Sequence, residues 1–402
     1  MHFHWFLPSN GDGRHVANVV AREGVGAGAL RRPASVRYLA QVARAAEDSG
    51  FEAALTPTGS GCEDAWILTA ALTQHTERLK FIVAFRPGFI APALAAHQAG
   101  TFQRLSGGRL IVNIVTGGDP VEQRAYGDPL PHDERYRRTG EFLEVFRAAL
   151  GIDPFRHAGP HYVIDRASPA PLAAAPPPIF FGGASPAAED VATRLADVHL
   201  SWGEPLDDLV ERRARLDWSA RAHGRRLRYG VRLHIIARDT AEEAWAEADR
   251  LLAAMDPAAV VAAQARFARM ESVGQQRMTQ LTAGRADGLV IAPNLWAGVG
   301  LLREGAGTAL VGSHDEVAER LAEYVQCGFE HLVLSGWPHV EEAYRVGEEV
   351  LPRVRRRVER LARQRRTVRR RVLTPIGTAS TGTTAAGTSA RGDRSLVTAA
   401  GR

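Results

Sequence analysis

Short apolar runs rich in β-branched and aromatic residues punctuate this chain, and most precede a stretch whose apolar positions repeat at helical spacing. The runs fall at 2–8 (HFHWFLP), 52–56 (EAALT), 81–86 (FIVAFR), 109–116 (RLIVNIVT), 178–182 (PIFFG), 198–203 (VHLSWG), 229–237 (YGVRLHIIA) and 331–336 (HLVLSG). Between the first two, Val36, Leu39, Val42, Ala43 and Ala46 share one helical face, and Gly50 supplies a stop. Farther along, Ser313, His314, Asp315 and Glu316 have the form of a capping box that opens the helix DEVAERLAEYVQCG. Strands so uniformly apolar belong to a parallel sheet covered on both faces. Repeated strand–helix units of this kind predict an α/β protein with a closed (β/α)8 barrel, a doubly wound open sheet being the alternative.

Two connections are too long to be simple loops, about 117–177 after the fourth strand and about 238–330 after the seventh. They predict insertions after strands 4 and 7. The polar, glycine-containing part of the second, about 256–306, adjoins the expected active face and predicts a mobile lid. Residues 366–402 are low-complexity and predict a disordered C-terminal tail, which leaves 1–365 as one barrel domain.

Composition changes this picture little. A chain of 402 residues, 45% of them hydrophobic, supplies one large core. It has no apolar run of about 18 residues, so no membrane span is expected. The opening MHFHWFLP lacks the basic region of a signal peptide, and two cysteines, Cys62 and Cys327, are no disulfide framework; a cytoplasmic protein is expected. The net charge of +5 raises the question of nucleic acid. Its densest source, Arg353 to Arg371, has no interleaved aromatic residues for base stacking and reads as a solvated helix end.

A barrel reacts at the C-terminal ends of its strands. Those ends carry Trp5 to Ser9, Cys62, Arg86, Asn113, Thr116, Gly182, Gly183, Trp202, Arg232, His234 and Trp337 to His339. Aromatics, arginines and a glycine pair together suggest a large planar ligand beside an anionic one. No carboxylate pair suggests glycosidase chemistry, and no His/Asp/Glu cluster has metal-ligand spacing. His2 and His4 share a face only because alternate strand residues always do.

Segments spread over residues 1–352 resemble the FMNH2-dependent alkanesulfonate monooxygenases of the bacterial luciferase-like flavin family, which are TIM barrels. They include WFLPSNGDG (5–13), CEDAWILTAA (62–71), NIVTGGDP (113–120), HDERY (132–136), FFGGAS (180–185), SWGEP (201–205), VRLHIIAR (231–238), SVGQQRM (272–278), NLWAGVGLLREGAGTALVG (294–312) and SGWPHVEEAYRVGE (335–348). NIVTG is common to the whole luciferase-like group. CEDAW, the VRLH strand, NLWAGVGL with GAGTALVG, and PHVEEAYR point more specifically to the sulfonate branch.

The resemblance implies a cofactor, reduced FMN, with Asn113 and Thr116 near its ring system. Tyr136, Gly182, Gly183 and Ser185 would hold its phosphate, since bare glycine backbone and a helix start suit an anion. A glycine pair at a strand end can equally be a tight turn. It implies a substrate site formed by Trp202, Arg232, Arg303 and His339. Arg232 and His234 are two apart on one strand and face the same way. Two guanidinium groups match a sulfonate, a tetrahedral monoanion; the alternative is that an acidic side chain satisfies Arg232. His234 is the candidate for proton handling, or else a satisfied core histidine. Cys62 begins the helix EDAWILTAALTQ, and the family gives it a supporting place near the flavin; Glu63 and Asp64 oppose thiolate formation there.

Trp337 stands where the sulfonate branch has tyrosine, and indole offers one donor and no acceptor. Ala184 removes a possible hydroxyl contact to phosphate, and the loop 14–34, with Glu23, is longer than the pattern suggests. The implied reaction gives aldehyde and sulfite from an alkanesulfonate with O2, reduced flavin coming from a separate NAD(P)H-dependent flavin reductase. A homo-oligomer is implied as well. The rivals are a luciferase-like monooxygenase for another organosulfur compound such as a sulfone, a deazaflavin-dependent oxidoreductase, and a non-catalytic binder of flavin or sulfonate.

Overall fold

The computed structural model describes residues 1–16, 32–168 and 175–373, the last nine of these as backbone only. In chain order its elements are β1 (His2–Phe6), α1 (Val36–Asp48), β2 (Ala53–Thr56), α2 (Ala65–Leu72), β3 (Lys80–Phe85), α3 (Pro92–Ser106), β4 (Leu110–Ile114), α4 (Pro120–Ala125), α5 (His132–Ala149), β5 (Phe155–Ala158) and β6 (Val163–Ala167). They continue with β7 (Ile179–Gly182), α6 (Pro186–Leu195), β8 (Val198–Trp202), α7 (Leu206–Ala222), β9 (Arg228–Arg238), α8 (Ala241–Ala253), α9 (Pro257–Phe267) and α10 (Val273–Thr282). The last are β10 (Val290–Ala292), β11 (Leu295–Trp296), β12 (Ala309–Ser313), α11 (His314–Gln326), β13 (Phe329–Ser335), α12 (His339–Arg345) and α13 (Leu351–Leu373).

The strands β1, β2, β3, β4, β7, β8, β9 and β13 pair in parallel, and β13 returns to β1, so the sheet closes. These are the eight apolar runs of the sequence, and the open sheet is excluded. Side-chain alternation sorts each strand between two cores. Phe6, Leu55, Ile82, Ile111, Phe180, Leu200 and Val333 fill the lumen, while Trp5, Leu7, Ala54, Val112 and Leu334 pack outward against helices. Met1–Glu359 is one compact unit; a second begins at Arg360.

Helix boundaries follow their caps. Ser35 accepts from the Tyr38 amide to open α1, and Ser313 and Glu316 form the expected reciprocal box at α11. Val36, expected on the buried face of α1, is 40% exposed, because the first turn overhangs the core and Tyr38 is buried instead. Cys62 is not part of a helix: Asp64 caps α2 by accepting from Ile67, so the thiol precedes the helix and its dipole. The insertion after β4 holds α4, α5 and the hairpin β5–β6; the one after β9 holds α8 to α10 and strands β10 to β12, of which β12 extends β9 in parallel. The helix α13 carries the backbone to Leu373, eight residues into the segment read as tail, and residues from 374 lie outside the described part.

At the closed end of the barrel His4 Nε2 lies 3.0 Å from His331 Nδ1, and their rings stack at 5.3 Å. Burial pushes His4 down to about 3 and His331 to about 2. Both are neutral in the fold, whereas an unfolded histidine protonates near pH 6.5. Stability is therefore full above about pH 6.5 and is lost as pH falls toward 3. A His4→Leu/His331→Leu double variant is expected to flatten that loss. Urea unfolding at pH 7 and pH 4 checks it, and equal pH sensitivity of variant and parent would refute the account. Among the described residues no group of three or more His, Cys, Asp or Glu is arranged to hold a metal ion, and no helix is long and apolar enough to cross a membrane.

Candidate active site

One side of the barrel mouth is a cradle for an anion. Ser185 caps α6, its Oγ accepting from the Ala188 amide at 3.2 Å, so the first turn of the helix opens toward the mouth. Gly183, at φ +145°, brings bare backbone beside it; a Cβ there would lie 2.6 Å from Ala188 Cβ and 3.2 Å from the Tyr136 hydroxyl. That hydroxyl, from α5, sits between Ser185 and Thr116, and burial pushes its pKa up, so it stays a donor. Thr116 in turn meets Thr139 Oγ1 at 3.2 Å, and the Thr139 hydroxyl donates to the Arg135 carbonyl at 2.8 Å. His199 Nε2 lies 2.9 Å from the Gly183 carbonyl and fixes the orientation of that peptide. Asn113 projects into the mouth from the end of β4 with its Oδ1 buried and unpartnered among the described residues. A buried amide oxygen without a donor costs free energy unless a ligand supplies one.

The opposite side is cationic. Phe6 rises from the lumen, with the Arg232 guanidinium 4.5 Å from its ring centre and that of Arg303 at 5.1 Å. Neither arginine has a carboxylate within ion-pair distance among the described residues, although Arg232 is only 4% exposed. Burial, then the neighbouring Arg303, pushes the pKa of Arg232 well down; burial brings Arg303 to about 10. Two guanidiniums crowded without a counter-charge form a site that an anion would stabilise.

His234, two residues along β9, is fully buried and stacks on Trp337 with ring centres 4.4 Å apart. Its Nε2 lies 3.0 Å from the Ala306 carbonyl and its Nδ1 2.7 Å from Ser335 Oγ. Burial and the two guanidiniums hold its pKa well below 6.5. Both ring nitrogens are engaged, so His234 has the geometry of the satisfied core histidine. His339 differs. Its Nδ1 meets Asp12 Oδ1 at 2.9 Å, but its Nε2 is buried and unpartnered among the described residues, beside Phe6 and Trp337. Burial favours protonated Asp12, yet its bonds to His339 and Tyr38 outweigh that and hold it down at about 2. Cys62 lies near Ser9 and Arg303, and burial pushes its thiol up. Arg86 is paired with Glu122 at 2.6 Å, whose other oxygen accepts from the Ser60 amide.

The second insertion roofs this side. Its Glu271 amide donates to the Gly118 carbonyl at 2.9 Å, and Arg135 pairs with the Glu271 carboxylate at 2.7 Å. Gln275 Oε1 accepts from the Gly305 amide at 2.9 Å. A Cβ at Gly274 would lie 3.1 Å from the Trp202 ring and one at Gly305 3.7 Å, so both segments rest on that indole.

The structure therefore gathers Asn113, Thr116, Tyr136, Gly183 and Ser185 on one side and Trp202, Arg232, His234, Arg303, Trp337 and His339 on the other. Gly182 has ordinary backbone angles and ends β7; the left-handed position is Gly183. Glu23 lies outside the described residues. Sequence reasoning missed Asp12, Tyr38, His199 and Ser335, each of which orients another polar group. Asp12 and Ser335 lie inside segments that carry the resemblance, and His199 stands out as an imidazole among apolar strand residues.

The fold is shared with solved structures of low identity. A riboflavin lyase, solved with modified FMN and riboflavin, is 19% identical over 89% of this chain and 92% of its own, with a TM-score of 0.71. The EDTA monooxygenase of Chelativorans sp. BNC1 is 20% identical over 89% and 94%, also at 0.71. A long-chain alkane monooxygenase is 18% identical over 89% and 91%, at 0.68. The family model for luciferase-like monooxygenases matches residues 1–331, from β1 into the start of β13, and the chain belongs to that family.

Proposed function

We propose that this protein is a two-component, FMNH2-dependent monooxygenase that desulfonates alkanesulfonates to aldehyde and sulfite. The observation that carries this reading is the pair Arg232 and Arg303 around Phe6, two guanidiniums with no carboxylate partner among the described residues. A sulfonate supplies the missing charge and three acceptor oxygens, and its alkyl carbon then meets Trp202 and Trp337. A sulfone is uncharged and leaves both arginines uncompensated, so the sulfonate is the better fit.

The cradle on the other side fits the FMN phosphate: Tyr136 and Ser185 hydroxyls, the Gly183 backbone and the start of α6. Asn113 Oδ1 would accept from a ring N–H. Reduced FMN, when bound, supplies the electrons that reduce O2, one oxygen atom leaving in the aldehyde and the other as water. The chain's own residues bind, orient and exclude water. The roof over Trp202 keeps solvent out, and its opening would admit ligands; His339 Nε2 is the nitrogen placed to hold or move a proton, with Asp12 fixing its ring. Reduced flavin would come from an NAD(P)H-dependent reductase.

The test is sulfite release from C1 to C10 alkanesulfonates with FMN, NAD(P)H, O2 and a flavin reductase. Sulfite that requires both flavin and oxygen supports the reading; none from any member, with reduced FMN still bound, refutes it. Oxygen-independent turnover with a reduced deazaflavin would move the assignment to a hydride-transfer enzyme.

The cradle makes its own prediction. Gly183→Ala places a methyl against Ala188 and the Tyr136 hydroxyl at a backbone angle that L-residues rarely adopt. Anaerobic titration is expected to show reduced-FMN affinity falling about tenfold or more, in line with the loss of a charge-assisted contact. Unchanged affinity would remove the phosphate from this side of the mouth.

A further inference from the structure

Ser335 ends β13, is fully buried, and is the register partner of His234 on β9. Its Oγ lies 2.7 Å from His234 Nδ1 and 2.8 Å from Arg232 Nη2. Hydrogen-bond direction along this chain is fixed from its far end. The Ala306 carbonyl can only accept, so His234 Nε2, 3.0 Å away, carries the proton. In the neutral ring Nδ1 is then an acceptor, the Ser335 hydroxyl must donate to it, and the lone pairs of the same oxygen are left for Arg232. The other hydrogen bond of that guanidinium among the described residues is to the Leu233 carbonyl at 2.6 Å, on its own strand. Ser335 is thus the side chain that aims Arg232 across the lumen. Ala306 lies three residues beyond Arg303, in a segment held by Gly305 to Gln275 at 2.9 Å and by Gly300 to the Gly307 carbonyl at 2.8 Å.

We propose that Ser335 is a positioning residue: with the Ala306 carbonyl holding His234 in its Nε2–H tautomer, the Ser335 hydroxyl donates to Nδ1, turns its lone pairs to the Arg232 guanidinium and aims it at the bound anion, and through His234 and Ala306 ties that aim to the segment carrying Arg303. The role at the anion rests on the reading of the arginine pair as the sulfonate site; the order of hydrogen bonds from Ala306 through His234 to Ser335 does not. A strand serine with a merely structural role would contribute packing and leave the affinity for anion unchanged. The hydroxyl instead couples the two arginines, which sit on β9 and on the roofing segment. A sulfonate that draws Arg232 forward is felt at Ala306, and closure of the roof is felt at Arg232.

The test uses the full chain, as parent, Ser335→Ala and Ser335→Thr. In ligand-free protein labelled with 15N-histidine, with the His234 signals assigned by their loss in His234→Gln, the parent is expected to show protonated Nε2 and unprotonated Nδ1 from pH 6 to 8. Ser335→Ala is expected to keep that tautomer, which Ala306 sets, but to shift the Nδ1 signal as the nitrogen loses its donor, and Ser335→Thr to leave both unchanged. In turnover, Ser335→Ala is expected to raise the sulfonate KM about tenfold or more with a smaller change in kcat, while reduced-FMN affinity stays within about twofold. Ser335→Thr is expected to recover most of the KM. A parent His234 protonated at Nδ1, an unchanged Nδ1 signal in Ser335→Ala, or a threonine variant as impaired as the alanine one would each overturn the proposal. Should Ser335→Ala fold too poorly to assay, the parent spectrum still decides. Should the parent release no sulfite from any sulfonate, the functional reading fails while the hydrogen bond from Ser335 to Nδ1 is still tested.

Discussion

Arg232→Ala is expected to lower kcat/KM for alkanesulfonates by about a thousandfold, the loss of two charge-assisted hydrogen bonds, while reduced-FMN affinity stays within about twofold. The size follows from where the guanidinium sits. It is 4% exposed, has no carboxylate partner among the described residues, and shares the Phe6 ring with Arg303. Removing it strands no opposite charge; it leaves only the Ser335 hydroxyl and the Leu233 carbonyl short of a donor. The variant therefore folds, and its defect falls on the anion. Arg232→Lys keeps the charge but loses the planar fork, so an intermediate defect is expected. Steady-state sulfite release measures the first effect and anaerobic flavin titration the second. Near-normal sulfite release by Arg232→Ala would end the assignment of this side to a sulfonate. Equal loss of flavin and sulfonate binding would instead mean that the two sides of the mouth are not separable.

The barrel was legible because its strands are buried on both faces. A strand such as Leu110–Ile114, buried at every position, can only read as a continuous apolar run, and eight such runs separated by helices leave few architectures. The hairpin β5–β6 was not legible for the opposite reason. Its residues are all half-buried or exposed, and Val163 lies 78% exposed, so no apolar pattern marks it. At the mouth, residues that end strands could be read off, since alternation puts Arg232 and His234 on one face. Their partners could not. Ser335 is 101 residues from His234, and the Asp12 side chain is 327 residues from His339. Such pairs are made by barrel closure, which returns β13 to β1 and β9, and nothing local in the sequence announces them. The role of His234 shows the consequence. Its type and place suggested proton transfer, whereas its two bonded nitrogens give it a fixed tautomer, and the open imidazole nitrogen belongs to His339.

Asp12→Ala is expected to be the most damaging single change to stability among these residues, at about 3–5 kcal/mol, the range found when one partner of a buried ionic contact is removed. The Asp12 carboxylate is fully enclosed and accepts from the Gly13 amide at 2.7 Å, the His339 amide at 2.8 Å, His339 Nδ1 at 2.9 Å and the Tyr38 hydroxyl. Tyr38 also meets Arg32, which pairs with Glu341, so the carboxylate joins the segment after β1 to α1 and α12. Alanine leaves these donors buried with nothing to accept them, and each unmade bond carries its own desolvation cost. Asp12 sits at about 2 in the fold and near 3.9 in an unfolded chain, so its contribution is full above about pH 4 and is lost as pH falls toward 2. Asp12→Asn keeps the volume but turns an NH2 toward at least one donor, so it is expected to lose most of the stability and that acid dependence together. Denaturant unfolding at pH 7 and pH 3 measures both. Function should follow stability in a particular way: without the carboxylate the His339 ring is no longer held beside Phe6 and Trp337, and kcat is expected to fall more than sulfonate affinity. A loss below about 1 kcal/mol in Asp12→Ala would show that the contact network, though formed, is not what fixes His339.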